Sequence, residues 1–113
     1  MQVRIEHNSE GMFVRLSGEI DHHSARSLRE QVDAAIDRHH PKQLMLDFGD
    51  VSFMDSSGIG FVMGRYRIMQ SIGGKLQVIH ISDRLFKVMK LAGLERLGIL
   101  PQTQEVKPNE THK

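Results

Sequence analysis

The sequence contains no cysteine and no tryptophan, and it has a single tyrosine. Without cysteine the chain can form neither a disulfide nor a thiolate metal site, which favours a reducing cytoplasm as its compartment. With so few aromatic side chains, a stacking platform for nucleic-acid bases is not expected. Fifteen basic residues against fourteen acidic ones leave a net charge of +1. This balance gives no general attraction to nucleic acid or to anionic lipid.

Long hydrophobic runs are also missing. No apolar segment approaches the roughly 20 residues of a transmembrane helix, and no charged-then-apolar signal segment opens the sequence, so we expect no membrane insertion. The 113 residues are 39% hydrophobic and 26% charged, as in an ordinary globular protein. Residues 102–113 contain one apolar residue, Val106. The sequence therefore predicts a single domain over residues 1–100 and a flexible tail over residues 101–113.

Hydrophobic periodicity predicts alternating strands and helices. Period-two patterns and one continuous apolar run predict strands at residues 2–7, 12–17, 44–48 and 76–81, with a polar loop at 49–55. Helical spacing predicts three helices, which begin near Asp21 or Ser24, near Ser56, and near Ser82 or Asp83. Residues 97–100 are a candidate fifth strand. The order β-β-α-β-α-β-α indicates an α/β fold, a mixed sheet of four or five strands with helices mainly on one face.

The loop at residues 53–60 lies between the most buried strand and the second helix. In open α/β sheets this edge is where ligands and chemistry gather. Asp55, Ser56 and Ser57 can each cap a helix, and capping is the commoner use of serine at such a position. A serine here also suits phosphorylation, because the helix dipole and its free N–H groups stabilise a phosphate. Both interpretations remain open on these grounds alone.

The second helix has an unusual surface pattern. Gly58, Gly60 and Gly64 each cost about 1 kcal/mol against alanine in a helix, which indicates that another surface approaches the backbone closely. One apolar stripe suffices for a core contact, and three further apolar residues lie off it. These residues form either an exposed patch for a partner or a contact with a second layer. They are Phe61, Ile68 and Ile72.

Three other functions would use similar residues, and the sequence argues against each of them. The spacing of Gly58, Gly60 and Gly64 resembles a loosened dinucleotide fingerprint, with Asp83 as the ribose acid, but these glycines fall inside the helix. Neighbouring histidines point in different directions on a helix and have no zinc spacing; they are His22-His23 and His39-His40. Three aspartates lack the pairing of a phosphoaspartate receiver or a hydrolase: Asp47, Asp50 and Asp55. We therefore expect no cofactor, no metal and no catalytic residue.

Together these segments resemble a known family. Gly-Glu-Ile-Asp-His-His-Ser-Ala at residues 18–25 is similar to the opening signature of STAS domains that act as anti-sigma factor antagonists. Ser-Phe-Met-Asp-Ser-Ser-Gly-Ile-Gly at residues 52–60 resembles their phosphorylation loop. The match continues at residues 64–67, 73–74 and 91–94 and spans residues 3–100. The Asp-His-His run and Met-Asp-Ser-Ser-Gly point to the sporulation branch, whose antagonists serve the forespore anti-sigma F system of endospore-forming bacteria.

The resemblance implies the STAS fold and a phosphorylation switch. The unphosphorylated form would bind an anti-sigma factor with a histidine-kinase-like ATPase fold and release the sigma factor. That anti-sigma factor is also a serine kinase, which would phosphorylate Ser56 and so end the complex. A metal-dependent serine phosphatase would restore the free form. The chain would thus be a substrate and not an enzyme.

The resemblance also implies which residues meet the partner. Asp21 matches a family aspartate that supports kinase binding, and Ser57 is a second acceptor by chemistry. The expected partner-binding residues are Asp21, His22, His23, Asp55, Ser56, Ser57, Gly58, Ile59, Gly60 and Phe61. Relatives commonly have a last helix after the final strand, but residues 102–113 show no amphipathic pattern. The alternatives are a general-stress antagonist, a STAS scaffold that binds partners without turnover of Ser56, or a small nucleotide-binding protein.

Overall fold

The computed structural model describes residues 1–101. The strands are β1 (Gln2–Asn8), β2 (Gly11–Ile20), β3 (Gln43–Met54) and β4 (Lys75–Ile79). The helices are α1 (His22–His39), α2 (Ser56–Ser71) and α3 (Asp83–Leu91), and a short 3₁₀ helix follows at Leu94–Leu97. The predicted order β-β-α-β-α-β-α is therefore confirmed.

The four strands form one mixed sheet in the order β1-β2-β3-β4. β1 and β2 are antiparallel and are joined by a tight turn, where the Asn8 side-chain oxygen accepts bonds from the N–H groups of Glu10 (2.8 Å) and Gly11 (3.2 Å). β2, β3 and β4 are parallel neighbours. The connections from β2 to β3 through α1 and from β3 to β4 through α2 both advance toward the β4 edge of the sheet. Because such connections are right-handed, α1 and α2 lie on the same face.

The core lies between that face and the helices. Alternate residues of β2, β3 and β4 are buried there because the side chains of a strand point to the two faces in turn. They include Met12, Val14, Leu16, Leu44, Leu46, Phe48, Leu76 and Val78. The helices add Leu28, Val32 and Ile36 from α1 and Val62 and Met69 from α2. The opposite face carries charge: the Asp47 carboxylate lies 3.5 Å from Arg15 Nε and 3.2 Å from His80 Nδ1.

Two strand predictions were wrong. The predicted loop at 49–55 is largely strand, because β3 continues to Met54 beside a β2 that reaches Ile20. Register irregularities near Ser17 and Gly18 (φ +96°) let these polar segments pair. The fifth strand at 97–100 is absent from the sheet of residues 1–101; instead Gly98 turns with φ +72°, and the Ile99 carbonyl accepts a single bond from Val78 N–H (2.8 Å).

The predicted tail lies almost wholly outside the described residues, and Pro101, its first residue, is buried. The predicted absence of a last helix also concerns residues outside the described part. Within residues 1–101, no helix combines the length and the apolar character needed to cross a membrane.

Candidate functional site

Two helices begin side by side at one edge of the sheet. Ile20 and Met54 are partners at the ends of β2 and β3, and Asp55 N–H donates to the Ile20 carbonyl at 3.1 Å. The residues that follow these strand ends, Asp21 and Asp55, are the N-caps of α1 and α2. Each extended backbone turns into a helix at its aspartate, so two carboxylates and two helix N-termini share one edge.

Asp21 caps α1 through a reciprocal pair of hydrogen bonds. Its Oδ1 accepts from Ser24 N–H at 2.9 Å, while Ser24 Oγ accepts from Asp21 N–H at 3.0 Å. The backbone hydrogen bond from Ser24 lowers the pKa of Asp21, and partial desolvation opposes that shift. The carboxylate is therefore ionised and held in place. The prediction that Asp21 or Ser24 caps this helix is confirmed, with both residues in the cap.

Asp55 caps α2 and leaves Ser56 free. Asp55 Oδ1 accepts from Ser57 N–H at 2.8 Å. Ser56 is the first residue of the helix and is exposed, and its hydroxyl has no hydrogen bond within residues 1–101. Since the capping role belongs to Asp55, the capping interpretation of Ser56 is wrong. Ser56 Oγ is an accessible hydroxyl at a helix N-terminus, whereas Ser57 is half-buried.

The glycines of α2 differ in their surroundings. A Cβ on Gly58 would lie 2.0 Å from Met54 Cγ, so the close approach expected there is made by the chain itself. Gly60 and Gly64 have no atom within 4 Å of such a Cβ. Ser56, Gly60 and Gly64 are spaced four residues apart and lie on one face of the helix. This strip, which we call the glycine strip, offers bare backbone beside the serine hydroxyl.

Phe61 does not contribute to an exposed patch. Its ring is 1% exposed, and the Arg65 guanidinium lies 5.1 Å from the ring centre. Arg65 Nε in turn lies 2.9 Å from Asp33 Oδ1 of α1. The exposed-patch alternative is therefore wrong for Phe61, while Ile68 is half-buried and Ile72 is 36% exposed.

Arg65 was missed by the sequence analysis. Its side chain is 6% exposed and joins α2 to α1. The contact with Asp33 is an ion pair whose alignment falls short of a hydrogen bond, and Arg65 Nη1 has no partner among residues 1–101. Burial raises the pKa of Asp33, and attraction by Arg65 opposes this shift. Helical spacing placed Asp33 on the outer face of α1, so no pattern signalled the pair.

The histidine pairs lie at opposite ends of α1. His22 and His23 open the helix at the site edge, exposed, with ring centres 6.1 Å apart. His39 stacks on His7 of β1, with ring centres 4.2 Å apart. No group of three potential metal-ligating side chains occurs in the described part of the chain.

Further contacts surround the edge. Phe53, close to the end of β3, is 50% exposed. Arg84 of α3 donates from Nη2 to the Ser52 carbonyl at 3.0 Å and ties the start of α3 to the same strand end.

The positions of three glycines argue against the dinucleotide fingerprint. Gly58, Gly60 and Gly64 lie within α2, after its N-terminus, whereas that motif needs glycines in a turn before the helix.

Most of the chain is similar in sequence to known proteins. The STAS domain family profile matches residues 2–109. A protein of Paenibacillus polymyxa named anti-sigma F factor antagonist is 35% identical over 97 residues, which cover 86% of this chain and 83% of that one. The anti-sigma-B factor antagonist of Bacillus subtilis (strain 168) is 32% identical over 95 residues, covering 84% and 85%.

The fold is also similar to that of a solved antagonist. The anti-sigma factor antagonist SpoIIAA in its unphosphorylated form superposes with a TM-score of 0.77 at 30% identity, covering 92% of this chain and 91% of that one. The phosphorylated form of the Bacillus cell fate determinant SpoIIAA gives a TM-score of 0.71 at 30% identity, covering 92% and 95%.

Proposed function

Because the chain belongs to the STAS domain family, we propose that it is an anti-sigma factor antagonist that is switched by phosphorylation of Ser56. The observation that carries the proposal is the free hydroxyl of Ser56 at the N-terminus of α2, next to the capping carboxylate of Asp55. The unphosphorylated form binds an anti-sigma factor at this edge and so releases a sigma factor. The relatives named anti-sigma factor antagonists support this role.

The edge accommodates a phosphate without a change of fold. Asp55 already accepts from the N–H groups of Ser57 (2.8 Å) and Gly58 (2.9 Å), but the first turn of α2 contains no acidic side chain, so the helix dipole favours an added negative charge on Ser56. Ser56 is exposed, so the phosphate needs no space in the core. Phosphorylation therefore changes the charge of the surface and leaves the packing of the domain as it is.

The same phosphate opposes partner binding. It adds about −1.5 to −2 charges beside the carboxylates of Asp21 and Asp55, which already make the edge acidic. A partner packed against the glycine strip also meets three additional oxygen atoms where it met a hydroxyl. Repulsion and lost contact act in the same direction, and the complex dissociates.

The partners follow from this cycle. The anti-sigma factor is also the serine kinase, with a histidine-kinase-like ATPase fold, and a metal-dependent serine phosphatase restores the free hydroxyl. The chain itself is the substrate in both reactions and catalyses neither. The cycle takes place in the cytoplasm. The proposed partner surface comprises Asp21, His22, His23, Asp55, Ser56, Ser57, Ile59 and Gly60, with Gly58 and Phe61 as buried supports.

Phosphopeptide mass spectrometry tests the proposal. The chain is incubated with ATP and the anti-sigma factor of the same organism, together with the variants Ser56→Ala and Ser57→Ala. We expect one phosphoryl group on the wild type and on Ser57→Ala, and none on Ser56→Ala. Phosphate on Ser57 in the wild type would contradict the assignment. A stable complex without any phosphorylation would leave a binding scaffold in place of a switch.

A general-stress role is the second candidate, because the Bacillus subtilis anti-sigma-B factor antagonist is 32% identical over a similar length. Titration with the anti-sigma F and anti-sigma B partners of one organism separates the two roles. Tighter binding to the anti-sigma F partner favours the sporulation branch, and the reverse favours general stress.

A further inference from the structure

β1 is an outer strand of the sheet, and one of its edges has no neighbour among residues 1–101. The tight turn closes on the pair Asn8 and Gly11, so the even-numbered residues of β1 bond to β2. In each strand, residues whose backbone groups bond to one neighbour alternate with residues whose groups point the other way, and the registers continue this pattern from β2 through β3 to β4. At the far edge, Val78 N–H of β4 points away from the sheet and donates to the Ile99 carbonyl. The free edge therefore presents the N–H and C=O groups of Val3, Ile5 and His7.

The residues between them carry opposite charges. Val3 and Ile5 pack on the core, so Arg4 and Glu6 project from the other face, where both are exposed. Arg4 stands opposite Arg15 of β2, an unfavourable like-charge pairing, and Arg15 directs its own charge at Asp47. Neither Arg4 nor Glu6 has an ion-pair partner within residues 1–101.

From these features we infer that β1 is a self-association edge that pairs with β1 of a second copy of this chain. The two strands run antiparallel about a two-fold axis at Ile5, so that Ile5 faces Ile5 and Val3 faces His7. All the outward backbone groups are then paired across the interface. Arg4 of each copy faces Glu6 of the other, in non-hydrogen-bonded pairs whose side chains are closest together.

The charges also select this register. A shift of two residues in one direction places Arg4 opposite Arg4, and a shift in the other direction places Glu6 opposite Glu6. Both shifts keep the backbone bonding pattern but replace attraction by repulsion. A single register satisfies backbone and charge together, so the partner is specified as another copy of this chain.

The dimer leaves the Ser56 edge open. A two-fold axis normal to the sheet produces a continuous eight-stranded sheet with both α1 helices on one face. Because the two sheets run in opposite directions across the new pair, their Ser56 edges lie at opposite ends. Self-association through β1 therefore does not depend on the proposed switch and does not block it.

Sedimentation velocity on the full chain, from about 10 µM to about 1 mM, tests this inference. We expect a concentration-dependent dimer that both Arg4→Glu and Glu6→Arg weaken by at least about tenfold, because each replaces two attractive pairs by two repulsive ones. The double variant Arg4→Glu/Glu6→Arg restores attraction and should restore the dimer. Arg67→Glu, the same charge change on the exposed surface of α2, is the matched control and should leave dimerisation unchanged.

Circular dichroism on each variant establishes that it is folded. The inference is overturned if the wild type remains monomeric at about 1 mM, or if the folded single variants dimerise as well as the wild type. It is also overturned if the folded double variant fails to regain the dimer, since the strands would then pair in another register or not at all.

Discussion

Alanine substitutions in α2 should separate fold stability from partner binding. Gly60 lies inside the helix, and a Cβ there meets no atom within 4 Å. Gly60→Ala should therefore stabilise the domain by about 1 kcal/mol, which raises Tm by roughly 4–8 °C for a domain of this size. Gly64→Ala, with the same open surroundings, should have the same effect.

Gly58→Ala should act in the opposite direction. The new Cβ would lie 2.0 Å from Met54 Cγ and 2.5 Å from Met54 Sδ, and Met54 is only 7% exposed. Overpacking costs about 1–3 kcal/mol, which offsets the gain of about 1 kcal/mol in helix propensity. We expect a net change from about zero to a loss of about 2 kcal/mol.

Urea unfolding followed by circular dichroism measures all three variants, and an unchanged m value shows that the midpoint reports stability. The functional half of the prediction concerns Gly60, one turn from Ser56 on the glycine strip. Gly60→Ala should weaken anti-sigma factor binding although the fold is more stable, and Gly64→Ala, two turns away, should weaken it less. The reasoning is refuted if Gly58→Ala is as stable as Gly60→Ala, or if Gly60→Ala destabilises the domain.

Three further perturbations test the helix cap, the buried ion pair and the histidine stack. Asp55→Ala removes the cap of α2 and should cost about 1 kcal/mol in urea unfolding; an unchanged midpoint would contradict the capping role. Arg65→Met leaves the Asp33 carboxylate without its ion-pair partner, but the Asp33 side chain is 40% exposed. We therefore expect the free energy of unfolding to fall by roughly 2 kcal/mol, less than for a fully buried pair. An unchanged free energy of unfolding would mean that the ion pair is dispensable. Desolvation, followed by repulsion from His7 and Arg38, lowers the pKa of His39 below its ordinary value of 6.5. At pH values near these pKa values the folded state therefore binds fewer protons than the unfolded state. The free energy of unfolding should fall as the pH drops from about 7 through the folded-state pKa. His39→Gln should make the free energy of unfolding depend less on pH, as measured by unfolding at pH 7.5 and 5.5.

The order of strands and helices could be predicted because period-two and helical patterns are strong local signals. The extent of β3 could not. Gly49, Asp50 and Ser52 are typical of a loop, yet the irregular register between β2 and β3 lets this segment pair as a strand. Such a pairing depends on the neighbouring strand and has no local signature.

The sequence predicted that Asp55, Ser56 and Ser57 lie where β3 ends and α2 begins, and the structure places them there, but the sequence could not predict which of them caps the helix. Asp55, Ser56 and Ser57 are equivalent as capping candidates by composition, and the geometry assigns the cap to Asp55. Phe61 lies off the main apolar stripe, yet Arg65 and the packing of α2 against α1 bury it. Both outcomes depend on tertiary contacts, which a single helical periodicity cannot represent.

The most direct test of the central claim is calorimetric titration of the anti-sigma factor with two forms of the chain, one unphosphorylated and one phosphorylated on Ser56. Charge repulsion of several kcal/mol across the interface predicts that the phosphorylated form binds at least about a hundredfold more weakly. Equal affinity of the two forms, with the phosphate verified by mass, would contradict the proposed switch.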